Sequence, residues 1–171
     1  MITNHEDGRI IGAQYGISSY NDSVIVNDGL IRVTDGTFAI QLAYNSDRIV
    51  NGGRIDGAVD MGAGEDRFVG KNGGVLNGDL YMQAGEDVLD LRHGSYAKGG
   101  VISGGDDNDT YLVASADLNL VEDAASGYDI VKSSVSFVLA DNFEYLYLTG
   151  NADLKGKGNS DANYLAGNAG D

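Results

Sequence analysis

The stretch GGDDNDTYLV, residues 104 to 113, places three carboxylates and one amide at four consecutive positions, directly before a strand-like run from Thr110 to Val113. Glycines at its start and β-branched or aromatic residues at its end indicate a tight turn followed by a short strand. Adjacent acidic side chains repel one another, so a fold that holds them close needs something to neutralise them.

The whole chain shares this acidity. Its 171 residues include 26 acidic and 11 basic residues, for a net charge of -15, and 21 of the acids are Asp. Asp favours turns and local hydrogen bonding, whereas Glu favours helices. Gly occupies 26 positions, which is roughly twice its usual share. The acidity therefore belongs to turns rather than to solvated helices.

Composition excludes several classes of partner. Nucleic acids and anionic membranes bind basic surfaces, so we expect no nucleic-acid partner. No run approaches the length of an apolar membrane span, so we expect no membrane insertion. The chain has no Cys and thus no disulfide framework or thiolate metal site. The opening MITNHEDGRI lacks the basic and apolar regions of a Sec signal peptide.

Short apolar runs recur after an Asp along most of the chain. The spacings are 25, 19, 21, 22 and 20 residues between Asp22, Asp47, Asp66, Asp87, Asp109 and Asp129. Three short strands and their corners need about this length to form one coil of a parallel β-solenoid. We therefore predict an all-β, right-handed parallel β-solenoid (β-helix or β-roll) with stacked coils. An antiparallel β-sandwich is the alternative, but sandwiches rarely repeat the same residues at successive corners.

Stacked coils align equivalent side chains in ladders. A single coil cannot bury its own apolar face, so the ladders must supply the core. We predict one ladder formed by Val24, Ile49, Phe68, Leu89 and Tyr111. We predict a second one formed by Ile31, Ile55, Leu76 and Ile102.

Three acidic turns align in this repeat: MGAGED (61–66), MQAGED (82–87) and GGDDND (104–109). Stacking brings Asp66, Asp87 and Asp109 into one column, about 5 Å apart. A hard divalent cation between turns would remove their repulsion, and Ca²⁺ suits flexible sets of carboxylate and carbonyl oxygens. The alternative is that each Asp only caps its own turn through an Asx hydrogen bond.

These turns resemble the nonapeptide G-G-x-G-x-D-x-U-x of the RTX (repeats-in-toxin, hemolysin-type) calcium-binding β-roll family. In that family the glycine-rich hexapeptide binds Ca²⁺ and the apolar U faces inward. The match is closest at 104–112, with Asp107 at a Gly position, whereas Met61, Met82 and Gln83 replace Gly in the other two turns. The resemblance implies metal-binding turns at Gly62, Gly64, Asp66, Gly85, Asp87, Gly104, Gly105, Asp107 and Asp109.

The resemblance covers roughly residues 45 to 171. The run from 121 to 150 is similar to a segment between calcium repeats in large secreted RTX proteins, and GNSDANYLAGNAGD repeats the nonapeptide with Asn163 at the ligand position, to which we assign no metal. We expect β-helix coils without metal turns at 1–45, coils with RTX-like calcium turns at 46–113, and an RTX-associated β segment at 114–171. Its incomplete last repeat suggests a fragment of a longer protein.

The resemblance implies a calcium-binding structural and folding module of a secreted bacterial protein. Such proteins leave by type I secretion, with a C-terminal signal that would lie outside this chain. Acidic coils would stay extended in low cytosolic Ca²⁺ and close around the ions outside the cell. Two alternatives stay open: an accessory segment of a carbohydrate-active β-helix enzyme, and a polysaccharide- or surface-binding (adhesion) module that uses Tyr15, Tyr20, Tyr145 and Tyr147.

The chain offers no clear catalytic constellation. His5 and His93 are far apart in sequence, and no serine lies in a nucleophile-elbow motif. A carboxylate cluster of the kind that β-helix enzymes use could form from Asp56, Asp60, Asp79 and Arg54, although alternation at coil corners explains these residues as well. We predict that this chain alone is not an enzyme and has no catalytic residues.

Overall fold

The structure is a computed structural model that describes residues 1–96 and 99–170. None of these residues is helical, so the described part of the chain contains no helix that could cross a membrane. The described residues form 22 short strands. They are β1 (Ile2–Asn4), β2 (Arg9–Gly12), β3 (Ile17–Ser19), β4 (Val24–Asn27), β5 (Leu30–Val33), β6 (Phe38–Leu42), β7 (Arg48–Asn51), β8 (Arg54–Asp56), β9 (Ala58–Asp60), β10 (Arg67–Gly70), β11 (Val75–Asn77), β12 (Leu80–Ala84), β13 (Val88–Leu91), β14 (Ser95–Tyr96), β15 (Val101–Asp106), β16 (Thr110–Val113), β17 (Asn119–Val121), β18 (Ile130–Ser133), β19 (Phe137–Val138), β20 (Tyr145–Leu148), β21 (Gly156–Lys157) and β22 (Tyr164–Ala166).

Equivalent strands of successive coils pair in parallel and form three long sheets. Sheet 1 has nine strands in the order β1-β4-β7-β10-β13-β16-β18-β20-β22. Sheet 2 has five strands in the order β2-β5-β8-β11-β14, and sheet 3 has six in the order β3-β6-β9-β12-β15-β17. The remaining pair, β19 and β21, is also parallel. This arrangement confirms the predicted parallel β-solenoid.

One coil shows how the sequence specifies this path. Residues 48–60 read RIVN-GG-RID-G-AVD, in which three short strands are separated by glycine corners. Asparagines fill the corner between sheets 1 and 2, where the Nδ2 of Asn4 donates to Asn27 Oδ1 at 2.7 Å. The Nδ2 of Asn27 donates in turn to Asn51 Oδ1 at 2.8 Å. Side-chain amides therefore continue the backbone hydrogen bonding between coils.

Sheet 1 supplies the main apolar ladder of the core. Its inward side chains are fully buried: Ile25, Ile49, Phe68, Leu89, Tyr111, Val131 and Leu146. Burial of each side chain of this size contributes about 1.5–3 kcal/mol. The prediction of Val24 as the first member was wrong, because Val24 pairs with Arg48 and is 40% exposed, whereas Ile25 pairs with Ile49.

The second predicted ladder needs one correction as well. Ile31, Ile55 and Leu76 do align in sheet 2, and the next member is Tyr96 rather than Ile102. Ile102 lies in sheet 3, where it pairs with Leu80 and Leu120. The reason is that β14 already provides the sheet 2 strand of this coil, so the following strand belongs to sheet 3.

The coil after β15 has a different layout. Its chain passes from β16 to β17 through residues 114–118 without a strand, so within the described residues sheet 2 ends at β14. Sheet 1, by contrast, continues through the segments 1–45, 46–113 and 114–171. The corner between sheets 3 and 1 therefore stacks along nearly the whole chain, and it carries the acidic turns.

Candidate metal site at the acidic corner

We name the stacked turns at 61–66, 82–87 and 104–109, between sheet 3 and sheet 1, the acidic corner. Each turn has two residues with φ in the left-handed region. At the first position they are Gly62 (φ 86°), Gln83 (81°) and Gly105 (106°), and at the second Gly64 (144°), Gly85 (131°) and Asp107 (78°). The turns therefore share this backbone feature even where the side chain is not the glycine of the RTX pattern.

Close stacking explains the glycines at the second position. A Cβ on Gly85 would lie 2.0 Å from the carbonyl oxygen of Gly64. A Cβ on Gly64 would lie 2.1 Å from the carbonyl oxygen of Asn45. Successive turns thus touch backbone to backbone, which a side chain at either glycine would prevent.

Five buried aspartates form a continuous file beside these turns, which we name the aspartate column: Asp47, Asp66, Asp87, Asp109 and Asp129. Their exposure is 2% or less. The Oδ1 atom of each later member accepts the backbone N–H of the member before it, at 2.6, 2.7, 2.8 and 2.9 Å along the column. The predicted residues Asp66, Asp87 and Asp109 are therefore brought together as expected.

The ends of the column were not foreseen. Ser23, and not Asp22, stands at the first position, where its backbone N–H donates to Asp47 Oδ1. At the far end, the N–H of Asp129 donates to Glu144 Oε2 at 2.8 Å. These hydrogen bonds join neighbouring coils. Because Oδ1 bonds to the preceding coil, it does not cap its own turn as the Asx alternative requires.

The second carboxylate oxygen of every column member has no hydrogen-bond partner. Six buried side-chain N or O atoms in the described chain are unpartnered, and five of them are the Oδ2 atoms of the aspartate column. An unpaired buried polar group costs about 1–3 kcal/mol, and a charged one more. The sixth is Arg32 Nε, so five of the six unsatisfied atoms are carboxylate oxygens that lie along one line.

Burial and mutual repulsion oppose ionisation of these groups. Burial raises the pKa of Asp66 to about 7, that of Asp109 to about 8 and that of Asp87 to about 9. The neighbouring carboxylates of Asp66 and Asp109 raise the pKa of Asp87 further. Each side chain therefore takes up a proton or needs a cation to stay ionised near neutral pH.

Other residues of the predicted site lie around this column. Asp107 is exposed at the outer side of its turn, and its charge helps to raise the pKa of Asp87 and Asp109. Met61 and Met82, at Gly positions of the pattern, are fully buried in the core. Asn163 Nδ2 donates to the carbonyl of Phe143 at 2.8 Å, so this amide has a hydrogen-bonding role.

Three buried acids of this corner were not among the predicted site residues: Asp47, Glu122 and Asp129. Asp47 and Asp129 belong to the repeat of leading aspartates, so their spacing was the signal that could have extended the site. Glu122 is 4% exposed, and its two carboxylate oxygens accept the N–H groups of Gly104 and Gly105 at 3.2 and 3.1 Å. Only the pairing of coils places it beside Asp109.

The residues considered for catalysis are divided between two sheets: Arg54 and Asp56 lie on sheet 2, whereas Asp60 and Asp79 lie near Tyr81 at sheet 3. Arg54 Nε contacts Asp56 Oδ1 at 2.8 Å on sheet 2. On sheet 3, Asp60 Oδ1 accepts the Gln83 amide at 3.0 Å. Asp79 Oδ1 accepts the N–H of Val101 at 2.8 Å. Each acid thus has its own structural partner, while the absence of enzymatic activity stays a prediction.

Four tyrosines cluster on the outer side of the last coils, and we name them the tyrosine patch: Tyr128, Tyr145, Tyr147 and Tyr164. Ring centroids are 6.4 Å apart for Tyr128 and Tyr145, and 6.0 Å apart for Tyr145 and Tyr164. Tyr147 lies 5.7 Å from Tyr164. Tyr145 and Tyr147 were predicted to share a face with Tyr15 and Tyr20, but the latter two belong to the first coil.

Oxygen ligation is the chemistry that the acidic corner offers. Carboxylate and carbonyl oxygens are hard ligands that suit Ca²⁺, Mg²⁺ and Mn²⁺ rather than metals that prefer thiolate or imidazole. No family model, curated protein or solved structure matches this chain.

Proposed function

We propose that this solenoid is a calcium-binding structural and folding module, of the RTX type, from a secreted bacterial protein. The observation that carries the proposal is the aspartate column, in which five buried carboxylates each have one oxygen without a partner. A column of this kind is costly unless its charge is compensated. Cations between successive coils would compensate it.

Protons are the competing means of neutralisation. One proton neutralises one carboxylate, whereas one divalent cation neutralises two and accepts lone pairs from several oxygens at once. Members of the column directly precede neighbouring strands of sheet 1, which are about 5 Å apart, so one ion can contact two of them. The repetition over successive coils therefore favours a cation over isolated protonated acids.

Calcium fits the turn chemistry better than magnesium does. Ca²⁺ takes six to eight oxygens in flexible geometry, whereas Mg²⁺ requires a near-octahedral shell and usually keeps several waters. The turns at Gly64 and Gly85 bring backbone of successive coils into direct contact beside the carboxylates. Asp66, Asp87 and Asp109 would supply carboxylate ligands, and the turn carbonyls would supply neutral ones.

Metal-gated folding follows from the same charges. Without cations, a chain of net charge -15 has to bury like charges in order to close its coils. With cations, binding free energy adds to the free energy of folding, because the site exists only in the stacked state. The module would stay extended in low cytosolic Ca²⁺ and fold outside the cell, as type I export requires.

A thermal melt tests this function directly. Chelator-stripped protein is melted by circular dichroism in chelator, in excess Ca²⁺ and in excess Mg²⁺. We expect a large rise in Tm with Ca²⁺ and a small one with Mg²⁺. Asp35→Asn serves as a control, because Asp35 is exposed and lies outside the column. An equal Tm in chelator and in Ca²⁺ would refute the function.

The tyrosine patch favours polysaccharide binding as a second candidate function. Tyr128 and Tyr164 are 64% and 55% exposed, although aromatic rings contribute most to the stability of a fold when they are buried. Exposed aromatic clusters mark interaction sites, and tyrosine offers both a flat apolar face and a hydroxyl to a sugar ring.

Affinity electrophoresis in gels that contain soluble polysaccharides tests this second candidate. Parent protein should be retarded by at least one polymer, and Tyr164→Ala should migrate freely. Tyr20→Ala is the matched control, because Tyr20 is also highly exposed but lies in the first coil. Equal migration of the parent and Tyr164→Ala in every polymer would remove this function.

A further inference from the structure

The inner ladder next to the aspartate column changes from apolar to acidic side chains along the solenoid. Continuing the pairing of sheet 3 by one residue aligns Leu42, Met61, Met82, Gly104 and Glu122. The first three are buried apolar side chains that belong to the core. At Gly104 the side chain disappears, and at Glu122 a carboxylate points inward in its place.

Glu122 is held firmly in this interior position. Its Oε1 accepts the N–H of Gly104 at 3.2 Å, and its Oε2 accepts the N–H of Gly105 at 3.1 Å. The hydroxyl of Tyr111 donates to the same Oε1 and accepts a further hydrogen bond from Gly104. Tyr111 is fully buried, so its ring and hydroxyl fix the carboxylate from the core side.

Three carboxylates converge beside Gly104. One oxygen from each of Asp109, Glu122 and Asp129 lies within 4.8 Å of the others, and all three residues are buried. A Cβ on Gly104 would lie 2.0 Å from Asp109 Oδ2 and 2.6 Å from Glu122 Oε1. These two oxygens therefore point into the space that glycine leaves free.

A second observation marks this cluster as a ligand site. The Oδ2 atoms of Asp109 and Asp129 have no hydrogen-bond partner, although these residues are only 0% and 1% exposed. Backbone N–H groups and the Tyr111 hydroxyl already engage Glu122, but its two oxygens offer about four lone-pair positions. Coordination by all three carboxylates is therefore compatible with the existing hydrogen bonds.

We propose that Asp109, Glu122 and Asp129 bind one divalent cation, with Ca²⁺ preferred, inside the solenoid. Two oxygens on opposite sides of a Ca²⁺ ion are about 5 Å apart, which matches the spread of this cluster. Glu122 comes from the end of sheet 3, whereas Asp109 and Asp129 precede strands of sheet 1. The ion therefore joins two sheets in the coil that has no sheet 2 strand.

This site goes beyond the proposed function because Glu122 and Asp129 lie outside the three glycine-rich turns. The site takes Asp109 and Asp129 from the aspartate column, on which the proposed function rests, and adds Glu122, which lies outside the column. The site at Glu122 can bind its ion even if the turns at Asp66 and Asp87 bind none, and the reverse also holds. Variants can therefore test the two separately.

Calorimetric titration of Ca²⁺ into the chelator-stripped full chain tests the proposal. Glu122→Gln should bind one ion fewer per chain than the parent, whereas Asp66→Asn should keep this site. Glu6→Gln is the control, because Glu6 is an exposed acid in the first coil. An unchanged number of ions and unchanged affinity in Glu122→Gln would overturn the proposal while leaving the turn sites intact. A parent that binds no Ca²⁺ would overturn both.

Terbium luminescence gives a second readout that does not depend on how Glu122→Gln folds. Tb³⁺ replaces Ca²⁺ at oxygen sites and emits when a nearby tyrosine is excited. Tyr111 touches Glu122, so Tyr111→Phe should lose most of the sensitised emission at the first equivalent of Tb³⁺. Tyr15→Phe, in the first coil, should keep it. Equal emission from both variants would contradict the site.

Discussion

The Oδ1 atom of Asp109 accepts the backbone N–H of Asp87 at 2.8 Å, and the same contact links each consecutive pair of the aspartate column. Each carboxylate therefore uses one oxygen to hold the previous coil. Its other oxygen stays buried without a partner. Coil stacking and the proposed cation binding thus use different oxygens of the same side chain, and substitutions can separate them.

Asp87→Asn and Asp87→Ala should differ in a defined way. The amide keeps an oxygen that can accept the N–H of Asp66, whereas alanine leaves this N–H without its partner, at a cost of about 1–3 kcal/mol. Both variants lose the charge. In chelator, Asp87→Asn should therefore be as stable as the parent or more stable, and Asp87→Ala less stable than Asp87→Asn.

In excess Ca²⁺ both Asp87 variants should be less stable than the parent. Each site lost removes about 2.7 kcal/mol at a Ca²⁺ concentration 100-fold above Kd. Asp87 belongs to the middle one of the three acidic turns, so its loss should weaken two sites. Asp66 belongs to the first of these turns, so Asp66→Asn should weaken mainly one. Urea unfolding with and without Ca²⁺ measures these differences. Equal effects of Ca²⁺ on all three variants and the parent would contradict the column.

The cation-free protein should lose stability as the pH rises. Burial raises the pKa of Asp66, Asp87 and Asp109 to between about 7 and 9, above the value of 3.8 for a solvated Asp. Between the unfolded value of 3.8 and the highest folded value of about 9, the folded state therefore binds more protons than the unfolded state. The free energy of unfolding falls as the pH rises through this range. The loss should begin near pH 4 and be complete above pH 9.

Urea unfolding in chelator at a series of pH values measures this dependence. Added Ca²⁺ should flatten the profile at neutral and alkaline pH, because the cation replaces the protons. Asp87→Asn should also have a shallower profile in chelator, since it lacks the group with the highest of these pKa values. A free energy of unfolding in chelator that rises between pH 5 and pH 9 would contradict the assignment.

Gly85→Ala should destabilise the solenoid more than a glycine substitution at an open turn does. Alanine in the left-handed region costs about 1–2 kcal/mol, and at Gly85 its Cβ would also lie 2.0 Å from the Gly64 oxygen. Gly150→Ala is the matched control, because Gly150 has φ +87° and no atom within 4 Å of its added Cβ. Thermal melts compare the two, and equal losses would show that the turns do not stack closely.

Phe68→Ala and Val24→Ala test which residues of the sheet 1 strands face the core. Phe68 is fully buried, so its truncation should cost about 3–5 kcal/mol. Val24 is 40% exposed, and its truncation should cost under about 1 kcal/mol. Urea unfolding gives both values. A larger loss of stability for Val24→Ala than for Phe68→Ala would show that Val24 belongs to the core.

The fold was predictable because the repeat itself encodes it. A strand-rich unit with Asp and Gly at matched positions specifies parallel stacking, and the buried ladder Ile49, Phe68 and Leu89 follows from it. The first coil was misplaced by one residue because Asp22 continues the Asp series in sequence, whereas Ser23 continues it in space. A one-residue shift exchanges inward and outward side chains, as for Val24 and Ile25.

The acidic corner was predictable only in part. Asp66, Asp87 and Asp109 carry a repeated local pattern, so spacing alone aligns them. Glu122 has no such pattern, because its inward direction depends on how β17 pairs with β15. The same limit applies to Gly104, which occupies a ladder position that Met82 fills one coil earlier. Non-local pairing, and not residue type, decides which acids share the interior.

The direction of the column contacts also gives the solenoid a polarity for growth. Each coil presents a backbone N–H toward the C-terminal side, and the incoming coil brings the carboxylate oxygen that accepts it. A nascent stack that elongates from the N-terminal side thus offers a ready template of donors to every new coil. Elongation from the opposite side would begin with an anionic surface, which repels the acidic chain that has to dock on it.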